Sequence, residues 1–284
     1  MSSQHDALDA NHPNRCGGNG HADGGSARRS RVDDLTRRIA ADPDLFYTGG
    51  GAGSNGRNGH AVERREASAG QLEEPKEQRA DTPEHPGVSS SVVELVASVD
   101  FPTRHGRFLM YGFLETATGL EHTAVVKGDV RNTEGCPVRV HSECHTGDVW
   151  GSLRCDCRDQ LEFALRYLGS VEHGAIVYLR QEGRGIGLLN KLKAYRLQDL
   201  GLDTVEANHV LGYPAEARSY RVAARILETL GVISIELMSN NPDKIEKLRA
   251  DGVQVVGRIP VVSVPTAHNR LYLDTKRTKM GHLY

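Results

Sequence analysis

From Val92 onward apolar and polar positions begin to alternate, first in the runs SVVELVASVDF, GRFLMYGFLE, HTAVVKGDV and PVRVHSE. Side chains of an extended chain point to opposite faces in turn, so these runs, rich in Val, Phe and Tyr, predict successive strands of a mostly antiparallel sheet. From Asp159 the spacing lengthens. Leu161, Ala164, Leu165 and Leu168 recur at intervals of three and four, as along one face of a helix, and Gly174 is expected to end that segment before the apolar run AIVYLRQEG. The same exchange of helical and extended patterns continues through GLLNKLKAYRLQDLG, SYRVAARILETLG, VISIELMSNN, PDKIEKLRADG and VQVVGRIPVV, with Gly201, Gly231 and Gly252 each placed to close a helix. The fold class that follows is α+β, or mixed α/β: a mainly antiparallel β region leading into alternating helices and strands.

The residues before this pattern read differently. Residues 1–90 are runs of Gly, Ser, Asn, Asp and Arg, such as GGGAGSNGRNGH at 49–60, with too few large apolar groups to offset the entropy of ordering the chain. They are expected to form an unfolded extension, and 91–284 a single catalytic domain. A helix from Val32 to Ala40 is conceivable inside the extension, with Arg37 and Arg38 on its solvated face. Residues 1–90 carry 11 Lys and Arg against 14 Asp and Glu, leaving 24 against 23 for the rest. Neither part has the basic excess that releases counterions from a nucleic-acid backbone, so no nucleic-acid partner is expected. No apolar run is long enough to span a membrane and the N-terminus has no secretory core, so a cytoplasmic location is expected. Five cysteines fit a reducing compartment, where closely spaced thiols serve metal binding or chemistry. Cys16 lies in the extension and Cys136 stands apart.

The other three cysteines are the strongest chemical signal. In VRVHSECHTGDVWGSLRCDC, Cys144 is separated from Cys155 by ten residues and Cys155 from Cys157 by one. On an extended segment Cys155 and Cys157 face the same way while Asp156 faces elsewhere, and Cys144 is expected to return across a short hairpin. Zinc takes thiolates in a tetrahedral shell, and three protein ligands leave a fourth position open, as in catalytic sites. The spacing also fits a structural ion with a fourth ligand from elsewhere; His145 is nearest, but on a strand it points away.

Polar residues with no packing role surround this cluster. Arg139, His141, Ser142 and Glu143 precede it, and QEGRGIGLLNK occupies 181–191. Gly183, Gly185 and Gly187 suggest a tight turn or a close approach. Glu182 has the geometry to accept the paired donors of a guanine edge, and Arg184 to meet phosphate bidentately; a surface carboxylate and a surface salt bridge are the plainer alternatives. In SNNPDK, Asn241 is placed to cap a helix that begins at Pro242, and its free amides would let Ser239 and Lys244 hold phosphate oxygens.

With these motifs in order, the sequence resembles GTP cyclohydrolase II, the enzyme that opens riboflavin synthesis. The resemblance runs from about Val92 to Tyr284, through DTVEANHVLGY and the ending YLDTKRTKMGHLY. It implies one zinc ion per subunit on Cys144, Cys155 and Cys157. It implies nucleotide contacts from Arg139, Val140, His141, Ser142 and Glu143, from Gln160, from Glu182, Gly183 and Arg184, and from Thr204, Ser239 and Lys244. It further implies Tyr195 as a catalytic tyrosine, Glu216 as proton acceptor and Arg218 as nucleophile, with Mg2+ on the triphosphate and a homodimeric assembly. The implied reaction opens the imidazole ring of GTP and releases formate and diphosphate, giving 2,5-diamino-6-(5-phospho-D-ribosylamino)pyrimidin-4(3H)-one. The dihydroxybutanone phosphate synthase domain that precedes this one in many bacteria has no counterpart in residues 1–90, so no synthase activity is expected. The chain departs from the family pattern at His145 (usually Leu), Arg158 (usually Gly), Ser239 (frequently Thr) and Glu216 (commonly Asp). Two other readings stay open at this stage: a cyclohydrolase of specialised metabolism that stops at or diverts the formamide, and a non-catalytic, zinc-stabilised nucleotide-binding module.

Overall fold

The computed structural model describes residues 24–41, 93–214, 216, 218–262 and 265–283. Helix α1 (Gly24–Ala41) contains the conceivable helix of the extension and begins eight residues earlier. Residues 26–41 hold no Gly or Pro and are rich in Ala and Arg, so intrinsic propensity carries the helix back toward its start. Arg37 and Arg38 are exposed on it, as expected. The rest of the expected extension lies outside the described residues.

The domain that follows is built on one seven-stranded sheet of order β1-β2-β3-β5-β4-β6-β7. Strands β1 (Val93–Thr103), β2 (Gly106–Glu115) and β3 (Leu120–Lys127) form the expected antiparallel meander. Strand β4 (Cys136–Ser142) leads through α2 (Cys157–Gly169) to β5 (Gly174–Leu179), which joins the two halves by pairing antiparallel with β3 and parallel with β4. Helices α3 (Leu188–Asp199), α4 (Thr204–Val210) and α5 (Arg221–Thr229) come next. Then β6 (Ser234–Met238), α6 (Pro242–Ala250), β7 (Gln254–Ile259) and α7 (Arg270–Met280) complete the domain. The mixed α/β class and the order of its two regions agree with the sequence pattern.

The alternation along β5 explains how both faces are filled. Ala175, Val177 and Leu179 pack into one cluster with Ala223, Ile226 and Leu227 of α5, whereas Ile176 packs into another with Ala164 and Leu168 of α2. A strand buried on both faces reads as a continuous apolar run, which is why AIVYL carries no polar position. Gly201, Gly231 and Gly252 each follow a helix end with φ between 76° and 95°, as the pattern required. Gly174 does not end α2, which stops at Gly169; it opens β5 instead. A Cβ at Gly174 would lie 2.4 Å from Leu168 Cδ2 and 2.7 Å from Pro137 O, so the glycine permits close approach of strand and helix.

Candidate metal centre and anion pocket

The sheet order creates the site. From β4 the chain crosses to β5 on one side, and after β5 it returns past β4 to β6 on the other, so the connections diverge at β4. Ligands of open α/β sheets bind at such a switch point, beyond the carboxyl ends of the parallel strands. Here β4 runs into Cys144 and a single π-helical turn (His145–Val149), β5 into a 3₁₀ turn (Glu182–Gly185), and β6 through Ser239 to Asn241 into α6. Between them lies a solvent-open cleft.

The three cysteines meet in this cleft, with all their Sγ atoms within 4.8 Å of one another. Two thiolates about 2.3 Å from one tetrahedral ion are about 3.8 Å apart; Cys144 Sγ and Cys155 Sγ stand 3.7 Å apart. No hairpin brings Cys144 back. The π-helical turn does so, and Cys157 is the first residue of α2 rather than part of an extended pair. Gly147 makes room: a Cβ there would lie 2.9 Å from Cys155 Sγ and 3.0 Å from Cys144 Sγ. Hydrogen bonds from Cys155 and Cys157 hold the Cys144 thiol well below its usual pKa. The same bonding raises Cys155 to about 11 and Cys157 well above the ordinary thiol value. Three sulfurs this close repel one another when ionised, and a divalent cation is what allows all three to be thiolates, which fits a metal centre. His145 takes no part in the cluster; its Nε2 accepts a 3.0 Å hydrogen bond from Trp150 Nε1.

A carboxylate that the sequence reading passed over fixes this turn. Asp148 accepts hydrogen bonds from the Cys144 amide (3.0 Å), Tyr178 Oη (2.9 Å) and His141 Nε2 (3.1 Å). Burial lowers the His141 pKa against the pull of Asp148, so the ring is neutral. With Nε2 donating, Nδ1 is left as a buried acceptor that has no partner among the described residues, as has the neighbouring Ser142 Oγ. Unsatisfied buried polar atoms are rare in folded proteins, and these two lie side by side on the cleft wall.

Asp156 does face away from the sulfurs, into a buried chain of charge. It accepts from Lys276 Nζ (2.8 Å) and from Gln160 Nε2 (2.6 Å), and Gln160 Oε1 accepts from Arg139, whose guanidinium also donates to Met238 O (2.7 Å). Lys244 Nζ donates to Val140 O (2.8 Å) and stands 5.1 Å from the centre of the Tyr220 ring. Burial depresses the pKa of both Arg139 and Lys244, and for Lys244 the nearby guanidinium groups of Arg139 and Arg218 add to the effect. Cations crowded together out of water favour an anion strongly. Arg218 is buried against Glu216, with Nε 2.7 Å from Oε1 and a second, shorter contact from its terminal nitrogen to Oε2. Burial opposes each charge, yet the pair keeps the Glu216 pKa low and the Arg218 pKa high.

Glu182 is not an open acceptor in this structure. Its carboxylate takes hydrogen bonds from the His145 amide (2.6 Å), the Gly183 amide (2.6 Å) and Lys191 Nζ (2.8 Å), on a group that accepts about four. Gly183 and Arg184 both adopt φ of 63°, and for Arg184 this is a strained conformation of the kind that clusters at functional sites. Arg184 lies toward α7, with its guanidinium 6.0 Å from the centre of the Tyr272 ring. Tyr195, on α3, places its hydroxyl 3.4 Å from Thr146 Oγ1. Thr204 opens α4 behind an Asp203 cap, Glu143 pairs with Arg180 (2.9 Å), and the expected helix start at Pro242 is present. Asn241 caps that helix by position only: its side chain makes no capping bond, and Ser239 Oγ accepts from its amide (3.1 Å).

The cleft thus gathers the three cysteines with Arg139, Glu182, Arg184, Tyr195, Thr204, Arg218, Ser239 and Lys244, while Glu216 stands behind Arg218. The sequence reading missed Asp148, Lys191, Tyr272 and Lys276. Asp148 lies four residues after Cys144, Lys191 closes the run QEGRGIGLLNK, and Tyr272 and Lys276, four apart on one face of α7, lie in the ending YLDTKRTKMGHLY.

A family model described as GTP cyclohydrolase II matches residues 94–260. A GTP cyclohydrolase-2 of Picrophilus torridus is 48% identical over 193 residues, covering 68% of this chain and all of that protein. One of Azotobacter vinelandii is 52% identical, covering 67% of this chain and 92% of that protein. The riboflavin biosynthesis protein RibBA of Endomicrobium trichonymphae is 52% identical over 66% of this chain, which spans only 47% of that longer relative.

The packing around Gly147 carries a direct test. Gly147→Ala should weaken metal binding by about 10- to 100-fold, read by chelator competition, with no loss of the folded circular-dichroism signal. Unchanged affinity would show that the turn does not set the sulfur cradle.

Proposed function

Since the chain belongs to the GTP cyclohydrolase II family, we propose that it hydrolyses GTP with opening of the imidazole ring, releasing formate and diphosphate at the entry to riboflavin synthesis. The observation that carries this reading is the joining, in one cleft, of a three-sulfur cradle and a set of buried cations. Cys144, Cys155 and Cys157 would hold zinc, which when bound supplies a Lewis acid that makes water nucleophilic near neutral pH.

The chain's own residues divide the substrate between them. Arg139 and Arg218 offer positive charge to the triphosphate, which is proposed to arrive as its magnesium complex; Lys244 takes up its full charge as that anion arrives, and Ser239 and Thr204 add hydroxyl groups. His141 Nδ1 and Ser142 Oγ supply polar contacts beside the cysteines, and Gln160 keeps Arg139 in place. At the base end Glu182 retains room for about one further donor, enough for a single hydrogen bond from a guanine edge. Tyr195, whose pKa is raised mainly by burial, keeps its proton and so acts as a donor to charge developing on the ring.

For diphosphate release we assign Arg218 to charge stabilisation. A nucleophilic guanidine must shed a proton, whereas the bond to Glu216 holds that proton on. Glu216, with a lowered pKa, is correspondingly a weak base and acts by locking the guanidinium in place. A homodimer is also proposed, supported by the exposed apolar side chains of Leu95, Val96 and Val99 on the edge strand β1. Among the described residues no helix is long and apolar enough to cross a membrane, in keeping with the proposed cytoplasmic location. Residues 91–284 are proposed as the catalytic domain.

Incubation of the zinc-loaded protein with GTP should release formate together with diphosphate. GTP that binds without formate release would instead identify a nucleotide-binding module, and a formamide product would identify a diverted pathway. Tyr195→Phe should slow formate release by about 10²- to 10⁴-fold with zinc content unchanged; full activity in that variant would end the role given to the hydroxyl. With GTP radiolabelled at the α-phosphate, no adduct on Arg218 should survive denaturation at neutral pH, where a phosphoguanidine is stable, and its isolation would establish the covalent route. Light scattering should give twice the chain mass, and a monomeric mass at working concentration would remove the dimer.

A further inference from the structure

Lys191 lies on α3 one turn before Tyr195, and its side chain is only 12% exposed. Its Nζ stands 3.0 Å from Cys144 Sγ and 2.8 Å from Glu182 Oε1, and 5.8 Å from the centre of the Tyr195 ring. The path of the stem is built: a Cβ at Gly183 would lie 3.2 Å from Lys191 Cβ, so the glycine of the 3₁₀ turn lets the lysine pass.

We infer that Lys191 is a positioning residue of the metal centre: its ammonium donates a hydrogen bond to the Cys144 thiolate, tempers that sulfur as a ligand, and orients Glu182 at the same time. The inference rests on reading the cysteine cluster as a zinc site. Three thiolates around a divalent cation leave a net charge of −1. In a cleft that must also admit the electron-rich atoms of a purine, an uncompensated negative centre is a handicap at close range. The ammonium beside Cys144 offsets that charge at the sulfur, and because it is shared with the Glu182 carboxylate the offset is partial. A charge-assisted hydrogen bond to sulfur also withdraws electron density from it, so less is donated to the metal and the ion keeps more of its Lewis acidity. Glu182 binds the same ammonium and also the His145 amide, so the residue that meets the base is tied to the turn that carries the first cysteine. Groups that support a metal from outside its ligand shell have the same kind of influence on function as the ligands themselves.

Cobalt(II) in place of zinc makes the sulfur readable, because a thiolate-to-cobalt charge-transfer band lies in the near ultraviolet. Removing a hydrogen bond raises the energy of the sulfur lone pair and moves that band to longer wavelength. In the cobalt-loaded full chain, Lys191→Met should show this shift, Lys191→Arg should return the band to its original position, and Lys191→Gln, which keeps an N–H but no charge, should fall between. Zinc-loaded Lys191→Met should also lose metal severalfold faster to iodoacetamide, and release formate about 10- to 100-fold more slowly. A band in Lys191→Met that superimposes on the parent spectrum, with only KM for GTP raised, would overturn the inference and leave Lys191 as a support for Glu182 alone. If the parent protein itself shows no thiolate-to-cobalt band, it is the zinc reading that fails. Should Lys191→Met not fold, the ordering of Lys191→Gln and Lys191→Arg decides, an unshifted band in Lys191→Gln being the contrary result.

Discussion

Donors from three parts of the chain converge on the carboxylate of Asp148, and the geometry of the cleft depends on their doing so. The Cys144 amide comes from the strand end, His141 from β4 itself and Tyr178 from β5, so one side chain ties two parallel strands to the turn that carries the first cysteine. A carboxylate this deeply placed is costly unless its lone pairs are met, and these donors meet them. The constraint works in both directions. The strands hold the Asp148 carboxylate in place, and Asp148 holds the π-helical turn in a shape that brings Gly147 under the sulfurs. An ordinary helical turn would have given residue 147 another place and the cysteines another separation.

The second organising feature is the separation of charge within one cleft. The cysteines crowd potential negative charge, while Arg139, Lys244 and Arg218 crowd positive charge. Each set is unfavourable to bury by itself. Asp156 links them: it is covalently between Cys155 and Cys157, yet its carboxylate is turned to Lys276 and Gln160, and through Gln160 to Arg139. Lys276 reaches it from α7, 120 residues along the chain. The last helix of the domain therefore takes part in positioning the metal cradle, and removing one partner would strand a buried charge rather than merely lose a contact.

Much of this was legible before any coordinates. The period of two in residues 93–127 and of three to four from Leu161 onward gave the two regions of the sheet, and the glycines at 201, 231 and 252 gave the helix ends. The cysteine spacing pointed to the three sulfurs that the fold brings together, because zinc chemistry depends on residue type and proximity. What could not be read was the path between donors. A five-residue π-helical turn has no periodicity of its own, so a hairpin was the natural expectation for HTGDVWGS. Gly174 was misplaced because a glycine that permits close packing and one that ends a helix look alike in sequence. Glu182 was seen as a ligand for a base, but its donors include the amide of His145, 37 residues away, and Lys191, and neither pairing leaves a mark on local sequence.

Glu216 illustrates how a single methylene is absorbed. Two residues before Arg218, the longer side chain folds back so that Oε1 accepts from both the Arg218 amide (3.0 Å) and Nε, while Oε2 faces the terminal nitrogen. The acid thus closes a ring of hydrogen bonds with backbone and side chain of the same residue. Such a ring fixes the guanidinium plane, and because it is strongest when both groups are charged, it resists any step that neutralises the arginine. A guanidinium held charged and in one plane in this way suits the proposed stabilisation of charge on a departing phosphate oxygen, and the same bonds to Glu216 oppose its use as a nucleophile.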